Sequence, residues 1–170
     1  MIGCLAIAWP APRWLLWLAP TLFLVRLGVT AVAWHADSRD LEAMLGALDH
    51  VPQGARVAGA VEMDTADWAL DPNGHVPSYA TVRRDALVNS HFAVPGVHML
   101  RLREGPADFI DPSQRIMHGP GEPIDLAAFA PAREADFLWY IGRNAPVRLP
   151  PGAVVIYRTP RSFLARLANP

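Results

Sequence analysis

Lysine is absent from this 170-residue chain, so all fifteen basic side chains are arginine. That excludes a Walker A lysine, a Schiff-base lysine and a Ser-x-x-Lys catalytic pair. Cysteine occurs once, at Cys4, so no internal disulfide can form and cysteine usage does not reveal the compartment. The formal net charge is −1, and with no clustered basic surface a nucleic-acid partner is not expected. Arginine without lysine, in an Ala- and Pro-rich body, points to a GC-rich bacterial genome. Motifs of known chemistry are missing too. There is no Gly-x-Ser-x-Gly elbow and no His-Glu-x-x-His, and Gly119-Pro120-Gly121 lacks the third glycine of a dinucleotide loop. The sequence names no reaction.

What the chain does have is a long apolar run. Trp14 to Trp34 reads WLLWLAPTLFLVRLGVTAVAW, and its length suits the hydrocarbon core of a bilayer. Pro20 and Arg26 interrupt it. A central arginine costs roughly 2.5 to 3.5 kcal/mol, while about ten Leu, Val and Phe residues return roughly 3 to 6 kcal/mol, so insertion wins by a modest margin. Arg26 can snorkel part of the way toward the Trp34 interface or face other membrane helices in a bundle. Arg13 marks the near flank, and the far flank holds Asp37, Arg39 and Asp40 with no cationic excess. The positive-inside bias then puts the N-terminus in the cytoplasm and the body of the chain outside.

Residues 1–12 form an apolar stub, MIGCLAIAW, closed by a Pro-Ala-Pro break. Too short to span, it has the form of a remnant of a preceding membrane helix, with residues 13–35 as the transmembrane helix and 36–170 as the extracytoplasmic domain. The alternative is an export signal: Trp14 to Val25 serves as its apolar region and Ala31-Val32-Ala33 as the cleavage site, releasing a small secreted enzyme or binding protein after Ala33. Met1-Ile2-Gly3-Cys4 has no hydrophobic region before it, so lipidation is not expected.

The remaining residues suffice for one small core. Leu41, Met44, Leu45 and Leu48 fall at helical spacing, predicting a short amphipathic helix capped by Asp37 or Ser38. Ala55 to Val61 predicts a buried strand, Glu62 to Gly74 a loop, Ser78 to Asn89 a helix and His98 to Arg103 a strand. Asp108 to Pro123 reads as a loop, and Ile124 to Phe129 as a helical turn or two. Ala135 to Gly142 predicts a strand, with the continuous apolar Phe137 to Ile141 central in the sheet. Ala153 to Arg158 predicts another strand, and Ser162 to Leu167 either pairs back or forms a last helix. Strands alternating with helices give an α/β class: an N-terminal transmembrane helix followed by a small three-layer, mainly parallel sheet domain with an antiparallel edge.

His75-Val76-Pro77-Ser78-Tyr79-Ala80-Thr81-Val82-Arg83-Arg84-Asp85-Ala86-Leu87-Val88-Asn89-Ser90-His91-Phe92, followed by Val94-Pro95-Gly96, resembles the C-terminal extracytoplasmic domain of bacterial polytopic membrane proteins related to the GT-C glycosyltransferases. The resemblance covers Arg13 to the end. It implies an inner-membrane location, a non-catalytic domain within a glycan-related membrane protein, and a sugar-phosphate or lipid-linked glycan as ligand. The family's catalytic carboxylate sits in an early loop between the first membrane helices. No such loop is present here, so no catalytic residue is carried over.

For a ligand site the candidates are His75, which follows the Asn73-Gly74 turn, and Arg83 and Arg84 on the helix after it. Guanidinium groups and a helix N-terminus suit a phosphate; the bland alternative is a solvated helix face with local charge pairing. His75, His91, His98 and His118 with Asp71, Asp85 and Asp111 lack metal-ligand spacing, so neither a metal nor a cofactor is expected. Asp71-Pro72-Asn73-Gly74 matches a calcium loop in composition only, and a turn is the expected form.

Overall fold

In the computed structural model the described residues are 12–64, 73–91, 96–97, 99, 105–106, 109 and 113–168. The chain divides into two compact units, Met1–Arg39 and Asp40–Pro170.

Helix α1 runs Leu15–Leu45 with Pro20 inside it. Leu22, Phe23, Leu24 and Val25 are all exposed, at 60%, 64%, 63% and 59%. Four consecutive residues at about 100° per step sweep most of the helix circumference, so α1 shows apolar surface on every side. It is long and apolar enough to cross a membrane. The short separate helix expected from Asp37 or Ser38 is not seen, because the same helix continues to Leu45. No proline or glycine interrupts residues 29–45, so nothing in the sequence ends the helix before Gly46.

In the second unit a 3-10 turn, Gly46–His50, leads into β1 (Arg56–Asp64). A 3-10 turn at Val76–Ser78, helix α2 (Tyr79–Arg84) and β2 (Leu87–Val88) follow. Then come β3 (Arg115–His118), 3-10 turns at Leu126–Ala128 and Ala130–Glu134, β4 (Phe137–Ile141), β5 (Val154–Thr159) and β6 (Ser162–Arg166). The order across the sheet is β2-β1-β4-β6-β5, with β3 also on β1. Pairings of β1 with β2, β3 and β4 are parallel, while β6 pairs antiparallel with β4 and β5. The chain is therefore an apolar helix followed by a mixed α/β sheet domain.

Alternation sorts the side chains between two cores. Val57, Val61, Trp139, Ile141 and Leu164 pack with Met44, Leu48, Val76 and Ala80 on one face. On the other face Ala58, Ala60, Leu138, Tyr140 and Phe163 pack with Phe109, Ile124 and Leu126. Both faces of β4 are buried along its whole length, as expected for the central apolar strand.

Three elements of the sheet unit also differ from expectation. The Ser78 to Asn89 helix stops at Arg84, because Asp85 turns left-handed (φ 49°) and its N–H bonds the Thr81 carbonyl; Leu87 and Val88 then leave to pair with β1. The β1 strand extends through Glu62 to Asp64, where the sequence predicts a loop. Asp108 to Pro123 contains β3, held by four parallel pairings to Val61–Asp64. Ser162–Arg166 pairs back as a strand. The His98 to Arg103 strand lies, Met99 apart, outside the described residues.

The free edge of β1 is covered piecewise. Arg56 and Val57 pair with β2. Gly59 then meets the fully buried Asn89 amide, whose Oδ1 accepts from Gly59 N at 2.7 Å while Nδ2 donates to Gly59 O at 3.0 Å. Val61 N donates to Gln114 O, and β3 takes over. The Asn89 side chain thus stands in for one strand residue between two short strands. A Cβ on Gly59 would run into Pro77, so no larger residue fits there.

Candidate functional site

The main polar cluster among the described residues lies at the carboxyl ends of β1, β3 and β4, where open α/β sheets place ligands. Parallel register puts Glu62 opposite Ile116, and Val61 opposite Ile141. Glu62, His118 and Tyr140 consequently share the face that carries Ala60 and Phe163. Gly142 follows β4, and a Cβ there would overlap the Glu62 carboxylate and the Tyr140 hydroxyl. Its bareness admits the cluster.

Glu62 Oε1 lies 3.0 Å from His118 Nε2 and accepts from Asn144 Nδ2. Oε2 accepts from the backbone N–H groups of Arg143 and Asn144, the latter at 2.9 Å, and lies 3.2 Å from the Tyr140 hydroxyl. That hydroxyl also reaches the Asn144 carbonyl at 2.6 Å. The His118 and Glu62 side chains are only 6% and 7% exposed. His118 Nδ1 is 3.0 Å from the Gly119 carbonyl, so both ring nitrogens lie within hydrogen-bond distance of an acceptor.

Burial pushes the Glu62 carboxyl toward the neutral form, but hydrogen bonds from Asn144, Arg143 and His118 outweigh it and hold the group below its ordinary value. Burial, with the Glu62 charge and hydrogen bond, pushes the Tyr140 phenol far up. Glu62 is an anion with five donors around its two oxygens. Chemically the arrangement is a buried charge clasp, able to pin three strands and a loop.

The residues expected to bind a ligand sit elsewhere. His75 is exposed just before the 3-10 turn Val76–Ser78. Arg83 lies over the Tyr79 ring at 5.9 Å. Arg84 bonds Asp49 at 2.9 Å, and its carbonyl accepts from Gly54 N. Since Leu87 and Val88 pair with Arg56 and Val57, Arg84 lies at the amino end of β1, opposite the end that carries Glu62. Arg83 and Arg84 occupy the last turn of α2, and His75 precedes its first. Among the described residues no group of three His, Cys, Asp or Glu could hold a metal ion. Of the other histidines, His91 accepts from Val88 N at 3.3 Å.

No family model, curated protein or solved structure matches the chain.

Proposed function

We propose that this chain is a membrane-anchored extracytoplasmic domain: α1 spans the inner membrane of a bacterium, with Arg13 on the cytoplasmic side, and carries a three-layer α/β domain outside. One observation carries the reading, the exposure of apolar side chains around the whole circumference of α1. A soluble helix hides one stripe; this one hides none between Trp14 and Val29. Ala31-Val32-Ala33, the cleavage site of the secreted alternative, lies inside α1. Its role is that of a non-catalytic part of a glycan-related membrane protein. That association rests on the resemblance of the His75 to Phe92 segment alone, and so does a sugar-phosphate or lipid-linked glycan as the ligand of His75, Arg83 and Arg84.

Fusion of a reporter active only outside the cytoplasm after Pro170 tests the topology, together with the mature N-terminal mass. An active fusion, resistance to alkaline extraction and a retained Arg13 are expected. A mature chain starting at Trp34 would establish the secreted reading instead.

A further inference from the structure

Arg26 is exposed on α1, and the positions three and four residues away on its face are Leu22, Phe23, Val29 and Thr30, none of which can neutralise it. The chain has no acidic residue at all before Asp37. Asp37 lies eleven helical steps from Arg26, roughly 16 Å along the axis, which is beyond the reach of an ion pair. Arg26 stands two positions from the middle of Trp14–Trp34, so its Cα lies roughly 12 Å below the Trp34 interface. An arginine side chain covers only part of that distance, and intramembrane arginines pair instead with carboxylates or backbone carbonyls on neighbouring helices.

We infer that the Arg26 face of α1 docks a second membrane helix that carries an Asp or Glu at the same depth, a deduction that rests on α1 spanning the bilayer. A second copy of this chain does not fit. A parallel pair brings two like guanidinium charges together in a low dielectric, and α1 carries no carboxylate near that depth to offset them. Charge complementarity therefore selects a different polypeptide segment, one whose buried carboxylate the guanidinium grips through two parallel N–H donors.

The test reconstitutes the full chain, labelled at its single Cys4, in phosphatidylcholine vesicles with a synthetic Leu/Ala transmembrane peptide bearing one central Glu and an acceptor dye. Quenching of Trp14, Trp17 and Trp34 by brominated lipids reports insertion separately. Energy transfer to the Glu peptide should exceed that to a Leu-centred control at least tenfold in apparent association, and Arg26→Leu should abolish the difference while leaving Trp quenching intact. Equal association with the two peptides, or preference surviving in Arg26→Leu, overturns the inference and leaves the anchor standing. Absence of Trp quenching in the wild type overturns both.

Discussion

Replacing Glu62 by glutamine separates a charge clasp from an incidental contact. The carboxylate offers four lone-pair positions, and five donors converge on it: two backbone N–H groups, the Asn144 amide, the His118 ring and the Tyr140 hydroxyl. Glutamine keeps one oxygen and turns the other into an NH2 group that must face donors. If the amide nitrogen takes the Oε2 position, it opposes the fixed N–H groups of Arg143 and Asn144; in the Oε1 position it opposes His118 and Asn144 Nδ2. The first flip leaves two fixed N–H groups unpaired; the second keeps them only by turning the Asn144 amide and making His118 Nε2 an acceptor, so either way bonds to a charged acceptor are lost. At 7% side-chain exposure water gives little relief, so the loss is that of hydrogen bonds to a buried charged acceptor, about 1.5 to 3 kcal/mol. For a domain of this size that lowers the melting temperature by about 5 to 10 °C. Near-ultraviolet circular dichroism of the full chain in detergent follows the melt. A Glu62→Gln variant that melts with the wild type would show that the cluster contributes nothing to stability.

Trp139 is fully buried at the centre of the sheet, so Trp139→Ala should cost about 3 to 5 kcal/mol in the same melt; an unchanged midpoint would remove it from the core. Its indole N–H has no partner among the described residues, so Trp139→Phe should cost less than half as much. Asn89→Ala strands the buried Gly59 N–H and carbonyl and should cost about 2 to 4 kcal/mol by urea titration, where a midpoint equal to wild type would refute the strand-substitute role. Burial holds His91 below its ordinary value of 6.5, so the unfolded chain binds the proton first. Stability is then full above pH 6.5 and falls as the pH drops toward the folded value, a decline that His91→Gln should remove. Glu62, lowered from 4.5, contributes stability above that pH that is lost as the pH falls through its folded value, and Glu62→Gln should flatten this acid limb.

The strands that form the middle of the sheet were legible because their signal is local. Phe137 to Ile141 is an unbroken apolar run, and Ala55 to Val61 is small and apolar between turn residues, so burial on both faces could be read directly. The end of α1 was misplaced because Asp37 and Ser38 are good caps, yet a cap acts only where the helix starts, and the apolar residues on both sides of them continue one helix. The β3 strand was invisible for a different reason. Arg-Ile-Met-His is four residues between Pro112 and Gly119-Pro120, with no pattern of its own, and it is a strand because β1 offers an open edge. The polar cluster was equally hidden. Its other members lie 56 to 82 residues from Glu62, and in the sequence His118 reads only as a poor metal ligand. The available clue was Glu62 itself, an acidic residue placed one step beyond an otherwise buried strand, with Gly142 one step beyond another.

That pair of clues also bears on what the carboxyl ends of β1, β3 and β4 can do. A general base must point a lone pair at its substrate, whereas each Glu62 oxygen already faces at least two donors inside a nearly closed site. Freeing one position means giving up a bond to a charged acceptor, about 1.5 to 3 kcal/mol, before any ligand arrives. The same bonds have an immediate structural return. Four pairings hold β3 to β1, and His118 sits at the last of them, opposite Asp64, where a short strand would fray. Glu62 ties that end down through His118 and ties the loop after β4 down through Arg143 and Asn144. Among the described residues, the place where open α/β sheets usually bind ligands is lined by the chain's own donors to Glu62.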